Sequence, residues 1–222
     1  MTTYPLHLIH NHLFLETEGR RYLIGTGSPR SFAGTPSVTL DGRTFAIVPN
    51  YMQLTAASLS QQVGVECHGL LGADILNQFD HLFNLPQGRI TISSEENQMQ
   101  GVGSELSFLQ GIPIVSVRIQ NESYRMFLDT GAQVSYLQSP LLDRYPSAGV
   151  VSDFFPGPGP FETHSHIVPA NFAGVDFELR FGKLPAILAA GLMVAKTQGV
   201  IGNAIFHQHP VGYFPRRSLL VL

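Results

Sequence analysis

One strand-into-loop element occurs twice in this chain of 222 residues, as Tyr22-Leu23-Ile24-Gly25-Thr26-Gly27-Ser28 and as Met126-Phe127-Leu128-Asp129-Thr130-Gly131-Ala132. The repetition extends past the loops in the same order. Gly69-Leu70-Leu71-Gly72-Ala73-Asp74-Ile75-Leu76 matches Gly199-Val200-Ile201-Gly202-Asn203-Ala204-Ile205-Phe206. Each is followed by a terminal unit, Phe83 to Ile92 in one half and Tyr213 to Leu222 in the other. Between loop and terminal unit, Gly42-Arg43-Thr44-Phe45 parallels Gly174-Val175-Asp176-Phe177, and Ala56-Ala57-Ser58-Leu59 parallels Ala189-Ala190-Gly191-Leu192. Self-similarity at this scale means two copies of one folding unit, so any fold for the chain must place like elements in like positions twice. The copies differ at one chemically decisive place, where the second loop has Asp129 and the first has Gly25.

Composition narrows what the unit is. Charged residues make up only 13% of the chain, and 22 Gly and 15 Pro are spread through it, which favours short strands joined by many turns over long solvated helices. The expected class is all-β. A formal charge of -3 with no basic block argues against nucleic acid or an anionic membrane as partner. The start, Met1-Thr2-Thr3-Tyr4-Pro5, lacks a basic n-region, and no apolar run approaches the ~18 residues of a membrane span, so a cytoplasmic protein is expected. Cys67 has no second cysteine to pair with, and a small buried side chain is its simplest role.

The polar stretch from Ser93 to Ser107 separates the copies. This gives a first lobe over residues 1–95, a linker over 96–107 and a second lobe over 108–222. In the second lobe, Ile112 to Ile119 alternates in polarity as a half-buried strand should, turns at Asn121-Glu122-Ser123, and returns as Tyr124 to Leu128 to deliver Asp129. Leu13 to Glu16, a Glu18-Gly19 turn and Arg21 to Ile24 deliver Gly25 in the same manner. The glycines of each loop permit tight backbone geometry, and a threonine hydroxyl can donate and accept at once, which suits Thr26 and Thr130 to tying two loops together.

Apolar residues running into Asp-Thr-Gly, together with the paired apolar-apolar-Gly segments, resemble the aspartic peptidases, in particular the short-lobed retropepsin-like branch fused into one chain. The resemblance covers nearly the whole sequence. It implies a bilobal acid-protease fold whose two lobes are related by a pseudo-twofold, with the Gly25, Thr26, Gly27 loop facing the Asp129, Thr130, Gly131 loop. It also implies that the threonines link the loops, that an apolar strand passes behind each, and that no cofactor is needed. In that chemistry two carboxylates share a proton, one activating water while the other donates to the scissile carbonyl. Glycine supplies neither role. Asp129 alone is expected to behave as an ordinary carboxylate unless burial lifts it, and the protein to be impaired or inactive as an intramolecular peptidase.

A lid hairpin is expected between loop and apolar-Gly strand. The first lobe has only Pro29 to Val38 for it. The second has Val150 to Phe155, the turn Pro156-Gly157-Pro158-Gly159-Pro160 and Phe161 to Val168, a hairpin presenting Phe155 and Phe161. The partner implied is a peptide or extended polypeptide segment, and a monomer is favoured over a homodimer that completes its dyad with Asp129 of a second chain. A third reading is a non-catalytic module that captures a peptide by strand addition. His10 with His12, His164 with His166 and His207 with His209 are spaced for a shared strand face, yet lack a compact third metal ligand, so solvent-facing roles are expected. Pro29 and the Gly34/Pro36 turn deny Gly25-Thr26-Gly27 the following helix that a dinucleotide loop needs. Asp74 is expected to cap a short helix, Asp143 and Asp153 to be surface and lid-arm acids, and Arg216-Arg217 a solvated turn.

Overall fold

A computed structural model describes residues 1–155 and 159–222. In the first half the chain forms β1 (Thr2–Ile9), β2 (His12–Thr17), β3 (Arg20–Ile24), β4 (Phe32–Ala33), β5 (Ser37–Leu40), β6 (Arg43–Ala46), β7 (Asn50–Tyr51), β8 (Leu54–Thr55), α1 (Ala56–Val63), β9 (Gly69–Leu71), α2 (Ala73–Leu76), β10 (Asp80–Asn84) and β11 (Arg89–Ser93). β12 (Gly103–Glu105) and β13 (Ser107–Leu109) lead into the second half. There follow β14 (Ile112–Ile119), β15 (Glu122–Leu128), β16 (Ser135–Leu137), β17 (Ser147–Phe155), β18 (Gly159–Phe172), β19 (Val175–Gly182), α3 (Ala186–Val194), β20 (Gly199–Ile201), β21 (Val211–Phe214) and β22 (Leu219–Val221). The molecule is predominantly β, in line with its composition, and among the described residues no helix is long and apolar enough to cross a membrane.

The two copies fold alike down to single hydrogen bonds. β3 pairs in parallel with β9 through Tyr22↔Gly69, Leu23↔Leu70 and Ile24↔Leu71; β15 pairs with β20 through Met126↔Gly199, Phe127↔Val200 and Leu128↔Ile201. Gly25 N–H donates to Leu71 O, and Asp129 N–H to Ile201 O, both at 3.0 Å. Gly72 N–H donates to Ser31 Oγ at 2.8 Å, and Gly202 N–H to Ser135 Oγ at 3.0 Å. The glycine at the head of each of these strands is enforced by close packing. A Cβ at Gly69 would lie 2.2 Å from Phe32 O, and one at Gly199 2.1 Å from Tyr136 O.

β2 shows how one strand serves two cores. Alternate residues point to opposite faces. Leu13 and Leu15 therefore join the main core, while Phe14 joins a smaller cluster with Leu23, Phe32, Leu54, Leu59, Val63, Cys67 and Leu70 under α1. Burial on both faces explains why its apolar residues are consecutive rather than alternating.

The halves are not separate globules. The ten-stranded sheet runs β12-β22-β21-β10-β11-β1-β2-β3-β9-β4, so strands from residues beyond 210 sit beside those of the first half. Within the stretch assigned as linker, β12 pairs with β22 through Gly103↔Val221 to Glu105↔Leu219, and Leu106 is buried. The connection between the copies is thus itself part of the shared sheet. An eight-stranded sheet, β13-β14-β15-β20-β16-β19-β18-β17, belongs to the second half alone.

Candidate functional site

The loops after β3 and β15 meet back to back. Thr26 Oγ1 donates to Leu128 O at 2.7 Å and accepts from Thr130 N–H at 3.0 Å. Reciprocally, Thr130 Oγ1 donates to Ile24 O at 2.7 Å and accepts from Thr26 N–H at 3.0 Å. Both threonines are buried, so each hydroxyl satisfies two backbone groups that water does not reach. All six loop residues singled out in the sequence, Gly25, Thr26, Gly27, Asp129, Thr130 and Gly131, come together here.

Asp129 lies over the first-half loop. Gly131 N–H donates to its Oδ1 at 2.8 Å and Gly27 N–H at 3.1 Å, so one carboxylate oxygen takes an amide from each half. Gly27 is a steric necessity rather than a flexible spacer, because a Cβ there would fall 2.2 Å from Asp129 Cγ. At Gly25 the nearest atoms to a Cβ would be those of the Leu70 side chain, the closest methyl at 3.1 Å. Burial pushes the Asp129 carboxyl above its usual range, the amides of Gly131 and Gly27 pull it back, and the charge of Asp153 lifts it further. Of the two sequence expectations for this acid, the structure selects the lifted one, while Asp129 itself stays partly accessible.

Several neighbours are not legible in the sequence. His12, buried on β2, places Nδ1 3.2 Å from Gly131 O. Burial lowers its pKa, which favours the neutral ring donating to that carbonyl. Asn203, fully buried, donates to Asn11 O at 2.8 Å and Thr130 O at 3.3 Å, and its Oδ1 meets His207 Nε2 at 3.0 Å. Its counterpart in the first copy is Ala73, and that asymmetry within the repeat is the available signal.

The hairpin β17–β18 lies over the second-half loop, with Asp153↔Phe161 and Phe155↔Gly159 in register. The rest of the anticipated tip, Pro156-Gly157-Pro158, falls outside the described residues. Phe161 approaches Tyr136 with ring centroids 6.0 Å apart, whereas Phe155 is exposed. The side chain that reaches across is Phe154, packed against the first-half cluster of Phe14, Phe32 and Leu70. Tyr136 OH donates to Asp153 Oδ2, and Gln133 Nε2 donates to Ser152 O at 3.2 Å. Asp153, expected to be a bland lid-arm acid, is therefore held at the loop. In the first half the corresponding hairpin, β5–β6, is short, with four residues in each arm. Two surface depressions, of about 440 and 380 Å³, lie around Arg118 and Asn171 and around Thr3 and Met99; neither is lined by Asp129.

The remaining candidates disperse. Asp74 accepts from Ser31 N–H at 2.9 Å, Ser31 Oγ at 2.6 Å and Ile75 N–H at 3.0 Å, stapling β4 to α2. His10 turns to Val63 O, His166 to Tyr145 O, and His209 packs on Phe177, so the spaced pairs do not share ligand positions. Among the described residues no group of three or more His, Cys, Asp or Glu side chains is arranged to hold a metal. Arg216 and Arg217 are not a solvated turn. They pair with Asp80, which has no exposed surface, at 3.0 and 2.6 Å. Compared with known proteins, the chain matches no family model and no curated protein.

Proposed function

We propose that this protein is a single-chain, two-lobed member of the aspartic-peptidase fold in which Asp129 is the surviving acid of the dyad and Gly25 its vacated partner. It is an impaired peptidase whose cleft still receives an extended peptide. The observation that carries this reading is the reciprocal Thr26/Thr130 bonding, which sets Asp129 against the Gly27 amide of the opposite loop. In a purely structural β protein a partly buried carboxylate held above its usual range would only cost stability. With one carboxyl group missing, ~10²- to 10⁴-fold of general acid–base assistance is lost.

A purely peptide-binding role draws support from β17, which ends the eight-stranded sheet and so offers unpaired backbone groups for strand addition. A homodimer with one Asp129 from each chain would have to break all four threonine bonds first, which favours the monomer.

The test is Gly25→Asp, alone and with Leu70→Ala to clear the methyl 3.1 Å from the new Cβ. Both forms should cleave a diverse peptide pool at acidic pH at least ~10²-fold faster than the unmodified chain. Strong cleavage by the unmodified chain that survives Asp129→Asn would exclude the reading.

A further inference from the structure

The geometry points to Asp153 as the second catalytic carboxyl group of this cleft, supplied by the second-half lid instead of by the Gly25 loop. This assignment rests on the reading of Asp129 as the acid of a peptidase cleft, and accounts for whatever activity that cleft retains.

Three anchors fix the lid arm that carries it. Tyr136 belongs to β16, the short strand that follows the Asp129 loop, and its hydroxyl holds Asp153 Oδ2. Gln133, on the loop itself, holds the carbonyl of Ser152 at 3.2 Å. Phe154 packs against the first-half cluster, one member of which, Leu70, faces Gly25. The strand alternates, so Phe154 docks on one side while Asp153 is turned to the face of its cross-strand partner Phe161, and thereby toward Tyr136. Its Oδ1 also accepts from Phe154 N–H at 2.8 Å, which orients the carboxylate.

The charge on Asp153 is felt at three groups on separate elements: Asp129 after β15, Tyr136 on β16 and His12 on β2. Burial has the largest influence on each, and at all three the Asp153 charge adds an upward push, in keeping with the place that the Tyr136 and Gln133 hydrogen bonds give the lid arm beside the Asp129 loop. These are the titratable groups that face the pair, with His10 acting on His12 from the adjoining turn.

The proton of the pair is therefore assigned to Asp129, which burial raises, and the accepting role to Asp153, which the Tyr136 hydroxyl and the Phe154 amide orient. In the step this allows, the Asp153 carboxylate takes a proton from water as the water oxygen bonds to the scissile carbonyl carbon. The carbonyl π pair moves to its oxygen, which takes the proton of Asp129. Collapse of the tetrahedral diol returns a hydroxyl proton to Asp129 as C=O reforms, while the C–N bond breaks and the amine nitrogen takes the proton held on Asp153. One water is consumed and both acids return to their starting states.

The experiment measures cleavage of a diverse peptide pool by mass spectrometry for the unmodified chain, Asp129→Asn, Asp153→Asn, Tyr136→Phe and Gly25→Asp, alongside a ¹³C carboxyl titration of Asp129. Asp153→Asn should lower kcat/KM by ~10²-fold or more, close to the loss in Asp129→Asn, and should lower the Asp129 midpoint. If Asp153→Asn cleaves like the unmodified chain while Asp129→Asn does not, Asp153 is wrong and the peptidase reading stands. If the unmodified chain is silent and Gly25→Asp is active, Asp153 is again wrong and the impaired-dyad reading stands. Silence in both removes both. Should Asp153→Asn fail to fold, Tyr136→Phe keeps the carboxylate but frees it, and must lower the rate by ~10-fold; an unchanged rate overturns the assignment.

Discussion

Asp129 carries a stability cost that its protonation state reveals. Its carboxyl is raised by burial, so the native state keeps the proton at a pH where the unfolded chain has released it. The resulting contribution is full below the ordinary carboxyl range and is lost as pH rises through the native value. Asp129→Asn, whose Oδ1 can still accept from Gly27 and Gly131, should therefore raise the melting temperature at neutral pH and give no gain at strongly acidic pH. Each ~1 kcal/mol of relief would read as about 2–4 °C by calorimetry. A gain independent of pH would show that the cost is not one of charge. The loop residues themselves are legible because Gly-Thr-Gly and Asp-Thr-Gly repeat in order. His12 and Asn203 are not, since a buried histidine and asparagine look like any other until the fold brings Gly131 O and Thr130 O to them.

Among the elements, the hairpins delivering each loop, the strands behind them and the long β17–β18 hairpin follow from alternation and turn residues. What the pattern does not yield is where the lid lands. Alternation assigns faces but not the neighbour each face meets, so it singles out Phe155 and Phe161 at the tip while Phe154 makes the crossing contact. Half-burial of a phenylalanine is worth on the order of 1 kcal/mol. Phe154→Ala should therefore speed amide exchange along Val150 to Phe155 by about 5- to 10-fold, read by mass spectrometry, with the exchange of β14 and β15 unchanged. Equal acceleration in all these strands would mean that Phe154 supports the core and not the lid.

Across the whole molecule, the division into two lobes captures the duplication but not the exchange of strands between them. The terminal unit of the second copy belongs by sequence to its own lobe, because it mirrors that of the first. Instead β21 lies against β10, and Asp80 receives Arg216 and Arg217 from the turn that follows. Removing this buried acid leaves two partly covered guanidinium groups without their partner, so Asp80→Ala should cost about 3 kcal/mol in chemical denaturation, although it lies in neither Thr-Gly loop. A loss below ~1 kcal/mol would mean that water reaches the arginines once the acid is gone. The same ten-stranded sheet sets a timetable for assembly. Because β10, already paired with β11, gains its second neighbour only when residues 211–214 have left the ribosome, the first half waits with an open flank throughout synthesis of the second. Its refolding is then governed by distant partners finding one another, in the millisecond-to-second regime of high contact order rather than the microseconds of local structure.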